Sequence, residues 1–95
     1  MWQLLYRGRI VDFAISTYYE YEGTRHTIAR IDCCWGMVHR HQFDKNGRDV
    51  LDHQLMHQIV LDGTQWEQVD EMFGECYTKV LDEAFANFRR WSDGR

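Results

Sequence analysis

The sequence predicts an α+β fold of two layers, an antiparallel β-meander of four to five strands packed on one long C-terminal α-helix. Three observations carry that reading. Residues 11–21 alternate, with Val11, Phe13, Ile15, Thr17, Tyr19 and Tyr21 set against Asp12, Ala14, Ser16, Tyr18 and Glu20, the period of a strand with one buried face. Residues 65–91 repeat apolar side chains at intervals of three and four, the period of a helix with one buried face. Between them lie short glycine turns, and the chain has no proline to mark a linker. Its 95 residues suffice for one modest core, so 1–95 reads as a single domain. The sheet occupies about 2–51, a variable connection about 52–63 and the helix about 65–91.

Residues 2–6 offer a first strand ahead of the Arg7-Gly8-Arg9 turn. The strand over 11–21 is expected to meet its partner through a three-residue loop, Glu22-Gly23-Thr24. That register sets Tyr19 against Thr27, Thr17 against Ala29, Ile15 against Ile31 and Phe13 against Cys33, whereas a two-residue loop would set Arg30 against Ile15. Gly36 breaks or bulges the sheet, and 37–43 forms the next strand. Asp44-Lys45-Asn46-Gly47 then turns, glycine supplying a positive φ, and a further strand begins near Arg48. Residues 52–60 read as irregular or partly helical. Thr64 and Glu67 have the spacing of a capping box at the helix start. The apolar stripe Trp66, Val69, Phe73, Cys76, Val80, Ala84 and Phe88, joined by Met72, Leu81, Phe85 and Trp91, is expected to face the sheet. Arg89 and Arg90 suit the negative end of the helix, and Gly74 marks a close contact or a bend.

Composition narrows the functional classes. A 44% hydrophobic and 15% aromatic content is that of a packed protein. No apolar run approaches the roughly 18 residues needed to cross a bilayer, and residues 1–6 are too short and polar-flanked for a signal peptide. These features predict a cytoplasmic protein with no membrane association. Three cysteines, two of them adjacent at Cys33 and Cys34, predict reduced thiols rather than a disulfide framework. The net charge of -4 is unevenly spread: residues 1–48 carry seven basic and five acidic side chains, residues 49–95 four basic and ten acidic. The first half is suited to meeting an anion and the second to repelling one.

Residues 31–44, Ile-Asp-Cys-Cys-Trp-Gly-Met-Val-His-Arg-His-Gln-Phe-Asp, hold the densest set of reactive side chains. On a strand, Met37, His39, His41 and Phe43 share one face, so two imidazoles stand side by side. That pair suits a metal, a general acid and base, or a polar interior. As metal ligands, His39 and His41 would need Cys33, Cys34 or Cys76 to join them, and no spaced Cys-x-x-Cys or His-Glu-x-x-His signature accompanies them; neither metal nor cofactor is assigned. As a nuclease site, one imidazole would take the ribose hydroxyl proton and the other protonate the leaving oxygen. Asp32 would orient a ring, and Arg30, Arg40 or Lys45 would steady the phosphate, although a regular strand turns Arg40 to the opposite face. Trp35, Tyr6 and Tyr18 are candidates to stack on bases, because one layer of helix leaves the second face of the sheet open to a ligand. His53 and His57 read as exposed polar surface, and Cys33 and Cys34 as a buried residue beside a solvent-facing one. The acidic positions Glu67, Asp70, Glu71, Glu75, Asp82 and Glu83 decorate the helix face opposite the stripe, as a solvated surface, a phosphate mimic or a dock for a basic partner.

The order Arg30-Ile31-Asp32, Trp35-Gly36 and His39-Arg40-His41 ahead of the Asn46-Gly47 turn, with a terminal helix to follow, resembles small uncharacterised prokaryotic proteins and, more distantly, the TumE-like toxins of toxin–antitoxin pairs. The resemblance covers about residues 9–50. It implies a small toxin-like protein that acts on RNA and is neutralised by a partner. Two expectations follow. In one, His39 and His41, with Asp32 and Arg30, cleave or contact RNA. In the other, the chain is a non-catalytic interaction module, a phage-type inhibitor or an antitoxin-like dimer, that meets a host target, an antitoxin or a second copy through its open sheet or acidic helix. Histidines open beside Asp32 favour chemistry; buried ones favour binding.

Overall fold

The computed structural model describes residues 1–6, 9–34, 36–52 and 54–94, apart from the side chains of Tyr6, Arg9, Ile10, Val11 and Cys34. The strand period yields β1 (Trp2–Tyr6), β2 (Arg9–Tyr21), β3 (Thr24–Cys34) and β4 (Met37–Gln42); β5 (Gln54–Gln58) follows, and the helical period yields α1 (Gln65–Ser92). The five strands form one antiparallel meander in chain order, as the alternation predicts. Phe13, Ile15, Ile31 and Val38 from β2, β3 and β4 meet Val69 and Cys76 of α1 in a fully buried core, with Ile59 closing one end. Phe13 meets Phe73 edge-on at 5.5 Å between ring centroids, a geometry aromatic quadrupoles favour. A second cluster, Ile28 and Ala29 with Trp91 and Phe88, anchors the far end of the helix. No helix among the described residues is long and apolar enough to cross a membrane.

The β2–β3 hairpin corrects the expected loop while keeping most of its register. The turn has two residues, Glu22 and Gly23, with φ of 50° and 80°, and Tyr21 pairs with Thr24. Near the turn Tyr19 therefore faces His26 rather than Thr27. A bulge between Thr17 and Tyr18 then restores Thr17 opposite Ala29 and Ile15 opposite Ile31. Two preferences thus act at once. The short turn matches the strand twist, and one extra residue on β3 lets apolar meet apolar beyond it. In consequence Ile28 and Ala29, adjacent in sequence, are both buried.

Other expectations are revised. Residues 52–60 contain a strand, β5, instead of irregular or helical structure, and the region after the Asp44 to Gly47 turn holds only an isolated bridge from Phe43 to Asp49. A register shift between Val38 and His39 lets Met56 of β5 pack on the core while Leu55 stands opposite His39. The capping box does not form. The Thr64 side chain makes no cap bond; its hydroxyl instead donates to Asp62, which also accepts the Thr64 N–H at 2.9 Å. Trp66, Leu81 and Phe85 do not face the sheet, being 49%, 61% and 72% exposed. At 3.6 residues per turn, Leu81 and Phe85 lie about 140° and 180° around the helix from Cys76. Gly74 sits on that same outer side in open space, with nothing near the position of a Cβ.

Truncation should separate the two faces. Phe13→Ala is expected to lower unfolding free energy by about 3–5 kcal/mol, and Phe85→Ala by less than about 0.5 kcal/mol, in urea titrations followed by tryptophan fluorescence.

Candidate functional site

The register that buries Ile31 and Val38 against the helix turns Arg30, Asp32, His39 and His41 to the other face, where Arg30 lies opposite His41 and Asp32 opposite His39. The His39 and His41 rings stand 6.4 Å apart, so the expected pairing of imidazoles is present. Their surroundings differ. His39 is half-buried, whereas His41 is 2% exposed. Its Nδ1 is 2.8 Å from Asp49 Oδ2, and its Nε2 lies 3.3 Å from the Asp32 carboxylate. The Phe43 ring lies parallel to it at 6.1 Å.

The two carboxylates are themselves fixed. Arg30 Nε donates to Asp32 Oδ2 at 2.9 Å. Asp49 accepts the N–H groups of Leu51 at 3.0 Å and Gln42 at 3.3 Å. The result is a chain Arg30, Asp32, His41, Asp49 that runs across the sheet and ties the loop after β4 to it. Both His41 contacts are hydrogen bonds when both ring nitrogens carry hydrogen, and a ring so engaged presents no lone pair to a substrate. Nearby, burial lifts the Asp12 carboxyl above its ordinary value; the N–H of Phe13 opposes this, and the charge of Asp32 adds to it.

Of the residues singled out from sequence, Asp32, His39, His41 and Arg30 are brought together. Arg40 is not. It alternates to the helix face, as strand geometry requires, and its Nη2 donates to Glu83 at 2.6 Å. Glu83 also pairs with Lys79, so it leaves the outer acidic surface to which the sequence reading assigned it. Lys45 joins Arg30 at a separate cleft near the helix C-terminus. Trp35 and His53 lie outside the described residues, as do the side chains of Tyr6 and Cys34. Tyr18 stands on the open face with Arg25 over its ring at 4.1 Å. Cys33 packs on the core and Cys76 is buried within it, both on the helix side, away from His39 and His41. Burial pushes the Cys76 thiol up to about 11, with Glu75 adding to the shift and Lys79 opposing it.

Sequence reasoning missed Asp49, the residue that closes the His41 network. The only signal was indirect: a histidine facing the open side of a sheet needs a cover and a partner, and the nearest acid-bearing loop is the one that follows. It also missed Arg25, His26 and Trp91, which gather around Lys45 only in three dimensions. No protein-family model, curated protein or solved structure matches the chain.

Two measurements test this geometry. His41→Ala leaves two carboxylates facing one another without the imidazole and is expected to cost about 3 kcal/mol in urea unfolding, against less than about 1 kcal/mol for His39→Ala. For Cys76 the folded pKa is raised, so the unfolded chain gives up its thiol proton first as pH rises. Its contribution is complete below about pH 9 and is lost on the way to about pH 11. Wild type should therefore lose about 1 kcal/mol more than Cys76→Ala between pH 8 and pH 10 in matched unfolding curves.

Proposed function

We propose that the protein is a non-catalytic interaction module of toxin–antitoxin type, whose partner is a basic, partly apolar protein segment that docks along the outer face of α1. The observation that carries this reading is the exposure of Leu81 and Phe85 on a helix side that bears Asp82 beside them and the solvent-facing Asp70, Glu71 and Glu75 toward the N-terminus. Single exposed apolar residues are ordinary. An apolar pair one helical turn apart, with acids on its N-terminal side, is complementary to a segment that presents apolar side chains flanked at one end by lysine or arginine. Tyr77, 42% exposed, continues the same surface toward the helix N-terminus.

The burial of His41 supports the absence of catalysis at that ring. A general base must reach its proton, and His41 is walled in by Asp32, Asp49 and Phe43. The resemblance over residues 9–50 supports a paired-protein setting, in which a small protein is held by a dedicated partner.

The test is site-specific crosslinking in the cells of origin. A photoreactive residue at position 85 is expected to trap one basic protein, and Leu81→Ser/Phe85→Ser to abolish co-purification of that protein with the chain. Trapping at Ser16 on the open sheet, but not at position 85, would sink the helix reading. RNA cleavage by purified wild type that vanishes in a still-folded His41→Ala variant would sink the non-catalytic one.

A further inference from the structure

β4 ends at Gln42, opposite Ala29, while β3 begins at Thr24, so the β2–β3 hairpin projects beyond its neighbour. The Asp44 to Gly47 turn and the end of α1 flank the projection. Between them lies a cleft of about 460 Å³ whose charged lining is Arg25, Arg30 and Lys45 with His26 beside them. Three cations thus meet at one cleft, although Glu20 stands opposite Arg25 across the hairpin and Asp32 pairs with Arg30. Asp44 is the acid among the lining residues, and its Oδ1 is already turned onto the N–H groups of Asn46 at 2.9 Å and Arg48 at 3.0 Å.

The cations are held in place by aromatic rings. Arg25 lies over Tyr18 at 4.1 Å, Arg30 over Phe43 at 5.7 Å, and Lys45 over Trp91 at 5.5 Å. Arg30 is further fixed through Nε by Asp32. Side chains ordered in advance lose less freedom when a ligand arrives, and stacked guanidinium planes present N–H edges suited to phosphoryl oxygens. We infer that this cleft is a phosphate-ester site for a nucleotide, either free or as a unit of single-stranded RNA. Its volume exceeds the needs of a lone phosphate and falls in the range of small-ligand sites. The guanidinium of Arg30, backed by Phe43, offers a plane on which a base can stack. This site is separate from the outer face of α1 and does not depend on what docks there.

The test is NMR titration of the full chain at low salt with inorganic phosphate, a mononucleotide and a five-residue single-stranded RNA. Nucleotide should shift resonances of residues 25–30 and 43–47, more tightly than phosphate, and weaken as salt rises. Arg25→Gln and Lys45→Gln, both at exposed positions, should each weaken binding about tenfold, and Leu81→Ser/Phe85→Ser should leave it unchanged. RNA tighter than mononucleotide identifies the strand as the ligand, and equal affinity identifies the free nucleotide; both support the site. Phosphate binding as tightly as nucleotide, absence of shifts in the cleft, or indifference to both substitutions overturns it.

Discussion

One helix can dry only one face of a sheet, and the rest of this structure follows from that constraint. Up to the bulge, the odd-numbered positions Phe13, Ile15, Ile31 and Cys33 of β2 and β3 meet α1, so Arg30 and Asp32 between them are delivered to the other side. There Arg30, Asp32, His39 and His41 gather without any requirement that they do chemistry. Covering that face with more apolar chain would need a third layer, which 95 residues do not supply. The loop after β4 is tied to that face by a polar strut, His41 between Asp32 and Asp49.

The bulge in the first hairpin matters at the other end of the helix. By burying Ile28 and Ala29 together, it creates the apolar seat for Trp91 and turns the Ile28 carbonyl toward α1. That oxygen accepts the N–H of Phe43 at 2.9 Å and Arg90 Nη2 at 3.1 Å, while Arg90 Nη1 donates to the Phe43 carbonyl at 3.1 Å. A planar fork can hold two carbonyls at once, which an ammonium does less well. Burial and the nearby charge of Arg40 pull the Arg90 pKa down, and Asp44 works against them. Arg90 thus clamps helix to sheet instead of simply balancing the helix dipole.

Charge is segregated by the same architecture. The outer side of α1 is rich in acids toward its N-terminus, and Arg25, Arg30 and Lys45 meet at the cleft between the projecting hairpin and the Asp44 turn. The net charge of -4 conceals both. The proposed ligands differ accordingly, a basic protein segment along the helix and an anion at the hairpin.

The sequence by itself determined the two periods, and with them the meander, the helix, the turns at Gly23 and Gly47, the break at Gly36, and the faces to which Phe13, Ile15 and Ile31 belong. These are local properties, since period two or three to four assigns a side before any partner is known. Even the hairpin register was legible beyond the bulge, because pairing apolar with apolar outweighed the turn. Only the tertiary structure decided that Leu81 and Phe85 stand outside, because a helix resting on a sheet buries a narrower arc than the apolar stripe spans. It also decided that residues 54–58 complete the sheet, since an isolated five-residue segment has no strand identity until an edge accepts it. The burial of His41 lay furthest from the sequence. Whether an imidazole on an open face is a base or a strut depends on what folds over it, and Asp49 arrives from a loop whose path no periodicity encodes.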